Sequence, residues 1–383
     1  MGAYFDHNAT TPVDPRVRDA MLPYLGEAYG NPSSLHRRGR LARHAVEAAR
    51  EQVAALVNAP PSEVIFTSGG TEANNQAINW VRVLGRSRRV AVSAVEHASV
   101  LGVAEQLGET GCEILKIPVD GNGRVSEEAL EAALDRQPDL VSIMMANNET
   151  GVVQDILTFS GLIRVRGMVF HTDAVQAAGK LPLDFKALGP HMMSLSGHKI
   201  NGPQGVGALI VDQSLEVRPL LAGGGQESGR RSGTENVAAI VGFGMAAQLA
   251  RHELEARAGH MRALRSLLEG TLVESIPEAV VFGSEVQRLP NTVMLALPGI
   301  EGSTLVMALD QADFAISSGS ACDAHKDQIS HVLLAMGVAP ELARCAIRVS
   351  LGADSAEQDV VEFVKVLKEH VEALQTVSSW AWA

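Results

Sequence analysis

Between about residue 60 and residue 211, short apolar runs alternate with longer amphipathic stretches. Val64–Thr67, Val90–Ala94, Leu140–Met145, Met168–His171, Met192–Leu195 and Val206–Val211 have strand length and are nearly continuous in apolar residues, as strands buried on both faces must be. The stretches between most of them have helical length. That order predicts an α/β fold, a parallel sheet flanked by helices. After about residue 237 the pattern changes. A helical region that includes Met261–Leu272 leads to strand-like runs at Val293–Leu297 and Ala346–Ser350, and Glu357–Leu374 reads as an amphipathic helix. We expect a large domain over 13–257 and a smaller α+β domain formed by 258–383 with the N-terminal arm 1–12.

The polar residues at the strand ends say more than the strands do. The runs lead into Ser68-Gly69-Gly70-Thr71, Glu96-His97, Asn147-Asn148, Asp173 and Ser196-Gly197-His198-Lys199. In open α/β sheets ligands bind outside the carboxyl ends of the strands, so these clusters should converge on one site.

Composition narrows the function. The chain has 383 residues, 46% of them apolar, enough for a sizeable core. Its 32 basic residues against 44 acidic ones give a net charge of −12 without a long basic cluster, which argues against nucleic acid as a partner. No apolar run approaches the roughly 18 residues of a membrane span, and the first residues lack the pattern of a secretory signal; the expected location is the cytoplasm. Three cysteines, Cys112, Cys322 and Cys345, make neither a disulfide framework nor a CxxC pair. A functional cysteine here works as a thiol.

Lys199 stands on a turn among small residues, a setting that suits an imine-forming amine, although most lysines are solvated surface charges. Asp173 shifts the balance. Pyridoxal phosphate needs a carboxylate against its pyridine nitrogen, and an Asp at one strand end with a Lys past the next strand can reach opposite ends of one ring. Ser68–Glu72, between a strand and a helix start, offers backbone N–H groups for the phosphate, with Thr71, Ser196 and His198 as side-chain donors. His97 can stack on the ring; Asn148 and Gln176 fall at the same edge. Cys322 lies in a serine- and glycine-rich stretch that reads as a loop, whereas Cys112 and Cys345 read as buried structural thiols. Cys322, His325 and His331 lack the second thiolate that a zinc cluster would want.

Asp6-His7-Asn8-Ala9-Thr10-Thr11-Pro12, Gly30-Asn31-Pro32-Ser33-Ser34, Phe66-Thr67-Ser68-Gly69-Gly70-Thr71-Glu72, Asn147-Asn148-Glu149-Thr150-Gly151, Asp173-Ala174-Val175-Gln176, Ser196-Gly197-His198-Lys199, Arg231-Ser232-Gly233-Thr234 and Ser317-Ser318-Gly319-Ser320-Ala321-Cys322 occur in order along the chain. Together they resemble the NifS/IscS-type cysteine desulfurases. The resemblance implies a fold-type I pyridoxal-phosphate enzyme with a mostly parallel seven-stranded sheet. It also implies a homodimer with active sites near the subunit interface. By the same resemblance Lys199 carries the cofactor, Asp173 pairs with its pyridine nitrogen, His97 stacks on the ring, and Asn148 and Gln176 tune the substrate and phenolic side. Gly70, Thr71, Ser196 and His198 match phosphate-binding positions, with Thr234 reaching in from the other subunit. Arg348 matches the clamp on the substrate carboxylate, a task its forked guanidinium suits; a structural ion pair is the alternative. L-cysteine would lose its sulfur to Cys322, leaving alanine and a persulfide destined for a sulfur-acceptor protein such as an iron–sulfur scaffold.

Two departures bear on that acceptor. Asp327-Gln328-Ile329-Ser330 stands where longer-loop members carry a Leu-Glu-Pro-Ser-like run, and the chain ends soon after Trp380 and Trp382. A selenocysteine lyase or an aminotransferase on the same fold is the nearest alternative enzyme, and an idle scaffold the alternative outside catalysis.

Overall fold

The computed structural model describes residues 2–84, 88–318 and 329–380. Among the described residues seven strands form the large sheet, in the order Val64–Thr67, Gly207–Val211, Met192–Ser196, Val169–Asp173, Leu140–Ser142, Arg89–Ser93 and Glu113–Ile117. Gly207–Val211 runs against both neighbours, and the remaining pairs are parallel. The return between Ser196 and Gly207 is shorter than the dozen or so residues that a parallel crossover needs, so the chain comes back antiparallel. Six strands therefore point the same way, and their carboxyl ends share one edge.

Five of the strands are buried throughout, which is why they read as apolar runs. Glu113–Ile117 escaped that reading. It is an edge strand with mostly half-buried side chains, so it lacks an unbroken apolar signature. The Leu140–Met145 run pairs as a strand only to Ser142, because the chain then bends and the Met144 N–H turns to the Glu96 carboxyl at 2.6 Å.

Helices Arg37–Leu56 and Val237–His252 pack together against the sheet. A Cβ at Gly244 would stand 2.6 Å from Ala49 Cα, so their close approach requires glycine there. Val46, Val53 and Phe243 seal this contact within the larger core; burying each such side chain contributes roughly 1.5–3 kcal/mol.

A second sheet has the antiparallel order Ser317–Ser318, Ala346–Ser350, Thr292–Ala296 and Val280–Val281. Helices Leu254–Ser275, Gly302–Gln311 and Glu357–Trp380 supply Leu264, Leu268, Leu305, Phe363 and Leu367 to its core, which also takes in Phe5 from the N-terminal arm. The arm joins the two cores. Ala3–Tyr4 pairs with Phe314–Ala315, while Asn8 and Ala9 reach the edge of the large sheet, where their carbonyl oxygens accept from Lys199. Among the described residues no helix is long and apolar enough to cross a membrane.

Candidate active site

The carboxyl edge of the large sheet surrounds a cavity of about 320 Å³ lined by Gly70, Thr71, His97, Asn148, Asp173, Gln176, Ser196, His198 and Lys199, together with Ala9, Asn74, Ser99, Met144 and Val175. A larger cavity of about 650 Å³, beside Trp80, Asp139 and Val169, lies at the opposite, amino ends of the strands, away from these groups. Antiparallel pairing on both sides of Gly207–Val211 sets Thr67 and Ser196 opposite Gly207, which brings the turn after Thr67 next to the one after Ser196. A Cβ at Gly207 would meet the Gly69 backbone at 2.6 Å, so the turn lies directly on the strand. Helix Gly70–Ile78 then starts with Gly69 as its cap and no side-chain cap bond. Its first N–H groups are thus left to an anion, and Thr71, Ser196 and His198 line the same space.

Asp173 closes another side. Its Oδ1 accepts the Val175 N–H at 2.9 Å and its Oδ2 accepts from Asn74 Nδ2 at 2.6 Å. Asn74 also donates to Ser99 Oγ at 2.8 Å, and the Ser99 N–H donates to His97 Nδ1 at 3.1 Å. His97 is the N-cap of helix Ala98–Glu109. An Nδ1 that accepts leaves the proton of the neutral ring on Nε2. Asn74 and Ser99 therefore tie the carboxylate to the imidazole; neither was singled out from the sequence, where an Asn inside a helix and a Ser at a helix start look ordinary. Behind His97, Glu96 is fully buried and burial pushes its carboxyl up to about 8.

The opposite wall is basic. Lys199 Nζ donates to the carbonyl oxygens of Asn8 and Ala9, the latter at 2.7 Å. His198 lies against Thr10 Oγ1 at 3.1 Å; burial, reinforced by Lys199 and Lys180, lowers it to about 4. Gln176 Nε2 donates to Asn8 O at 2.9 Å.

Other residues expected at the site lie elsewhere. Arg348, 1% exposed, donates to Asp6 Oδ1 at 2.6 Å and to Asn148 O at 3.1 Å, so it stands beside the cavity wall in an ion pair. Its Nε is buried without a hydrogen-bond partner. Thr234 is exposed and lines no part of this cavity. Cys322 and His325 lie outside the described residues, but both flanks of their segment are fixed near the site. Ser317 pairs with Arg348 in the small sheet, Ser330 donates to Glu149, and His331 Nε2 bonds Glu96 O at 2.9 Å. Cys112 and Cys345 are buried among apolar side chains.

The donor set fits pyridoxal phosphate: an uncapped helix start with hydroxyls for a dianionic phosphate, a doubly supported carboxylate for a pyridinium, an imidazole beside it and a lysine amine. Comparison with known proteins agrees. Residues 3–363 match the aminotransferase class-V family. The chain is similar to the cysteine desulfurase of Trichormus azollae, 44% identical over 376 residues that make up 98% of this chain and 94% of that protein. Among solved structures, a NifS-like protein superposes with a TM-score of 0.90 at 38% identity, covering 97% of this chain and all of that one (100%). SspA in complex with cysteine superposes with a TM-score of 0.79 at 32% identity, covering 92% and 99% of the two chains.

Proposed function

The chain belongs to the aminotransferase class-V family and, within it, to the cysteine desulfurases, and from that premise we propose that it removes sulfur from L-cysteine and releases L-alanine, with pyridoxal phosphate as cofactor. The observation that carries this reading is the meeting of Lys199, Asp173 and His97, from three different strand ends, around one cavity.

The bound cofactor supplies an electron sink next to the substrate's Cα. Gly70, Thr71, Ser196 and His198 would hold the phosphate, and Asp173 would pair with the ring nitrogen. His97 would cover a ring face, while Asn148 and Gln176 would orient the phenolic and substrate side. Lys199 would anchor the cofactor, and its amine would move the substrate's Cα proton. Arg348 receives the substrate carboxylate, exchanging part of its pairing with Asp6 for it. Cys322, as thiolate, attacks the substrate sulfur: a sulfur–sulfur bond forms, the Cβ–S bond breaks with its electron pair passing to carbon, and a proton completes alanine. The persulfide left on Cys322 passes to a sulfur-acceptor protein, an iron–sulfur scaffold being one candidate. In this reading residues 13–257 bind the cofactor, while 1–12 and 258–383 carry Arg348 and Cys322. The working unit is a cytoplasmic homodimer, with Thr234 of each subunit completing the other's phosphate site.

The test is to give purified protein L-cysteine and a reductant and to measure alanine and sulfide together. Equal yields are expected. Cys322→Ser should still respond spectrally to cysteine yet form no persulfide. Persulfide on Cys112 or Cys345 at the wild-type rate would refute the assignment.

A further inference from the structure

Lys180 is a buried lysine behind the cavity wall, 6% exposed, in the segment that follows Asp173. Its Nζ donates to two oxygens of a single residue, the Gln176 carbonyl at 3.0 Å and the Gln176 Oε1 at 3.4 Å. The other end of that amide is engaged as well. Gln176 Nε2 donates to Asn8 O, the same carbonyl that accepts from Lys199 Nζ. The chain of contacts thus runs from Lys180 through the Gln176 amide to the oxygen that holds Lys199.

An amide side chain can turn over and exchange its oxygen for its NH2, and the neighbours decide which way it sits. A lysine nitrogen presents N–H groups, so the reversed amide would set NH2 against N–H at Lys180 and oxygen against oxygen at Asn8. Both contacts would be lost at once. We propose that Lys180 is a positioning residue that fixes the orientation of the Gln176 amide at the cofactor site.

This inference rests on the proposed cofactor. A buried amine is a costly way to fill space, since an apolar side chain of equal length would serve packing better. Burial and the neighbouring Lys199 push Lys180 down to about 7, and His7 and His198 are the other basic groups facing it. As a neutral amine it still has two N–H groups for its two oxygen partners, but it then also carries an accepting lone pair, so it fixes the amide most firmly while charged.

The experiment is a double-mutant cycle of Lys180→Met and Gln176→Ala, reading the affinity of the cofactor-free protein for pyridoxal phosphate and the absorbance maximum of the bound cofactor. Lys180→Met is expected to weaken uptake by about tenfold, the worth of one or two hydrogen bonds, and to move the absorbance maximum. In the Gln176→Ala background it should change neither. Additive losses, or wild-type values in Lys180→Met alone, would overturn the proposal. If Lys180→Met does not fold, Lys180→Gln takes its place in the cycle under the same criteria. Failure of the cofactor reading looks different: the wild-type protein would then take up no pyridoxal phosphate.

Discussion

At one end of the cavity two buried acids, Asp173 and Glu96, are served very differently by the backbone and side chains around them. Asp173 has a donor on each oxygen. Glu96 has two donors, Ser93 Oγ at 2.7 Å and the Met144 N–H at 2.6 Å, both on Oε1, and its Oε2 is buried without a partner. At the other end the bases are surrounded by carbonyl oxygens and by one another, and burial lowers His198 to about 4 and Lys180 to about 7. The contrast teaches that burial works against charge at both ends, on Glu96 as on His198 and Lys180, while Asp173 differs in having a donor for each oxygen. A cofactor with a positive ring nitrogen at one end and an imine carbon at the other needs that asymmetry.

The largest effect expected from disturbing it comes at the basic end. Lys199→Ala should lower turnover by about four orders of magnitude, since it removes both the anchor and the proton carrier. Borohydride treatment, which should fix the cofactor to Lys199 in the wild type, should fix none in the variant. Covalent capture at another lysine, located by peptide mapping, would refute the assignment.

At the acidic end Asp173→Asn should cost about two to three orders of magnitude in kcat, because an amide keeps the shape but supplies no charge to the ring. The accompanying measurement is the cofactor's absorbance spectrum. An unchanged spectrum with near-normal kcat would place the ring nitrogen elsewhere.

Much of this asymmetry was legible in the sequence, and the missing parts have a common cause. Asp173, His97, Lys199 and the Ser68–Thr71 turn each follow an apolar run, so the rule that ligands bind at strand ends gathers them without any coordinates. Strand direction was less accessible: the antiparallel course of Gly207–Val211 follows from a short connection, and an apolar run carries no arrow. Asn74, Ser99 and Lys180 went unnoticed because their roles depend on partners distant in sequence. Asn74 meets Asp173 across 99 positions, and Lys180 beside Gly179 looks like any solvated surface charge. Arg348 was singled out for its fork, but its partner Asp6 lies 342 positions away.

The smallest effect, and the sharpest probe of the acidic end, belongs to Glu96→Gln. Glutamine is the shape of a protonated glutamate: its Oε1 can accept from Ser93 and Met144 as before, and turnover at neutral pH should stay close to wild type. Stability is where the difference appears. An unfolded glutamate releases its proton near about 4.3, whereas folded Glu96 keeps its proton up to about 8. Between those values the folded state binds more protons than the unfolded one, so this group's contribution to stability falls as pH rises through the window and levels off above it. Glutamine has no such loss. Melting curves recorded from pH 5 to pH 8 should therefore show Glu96→Gln gaining steadily on the wild type, to at most about 5 kcal/mol given the size of the shift. Curves that stay parallel across that range would mean that Glu96 titrates alike in the folded and unfolded chains, and that its lone Oε2 finds a partner after all.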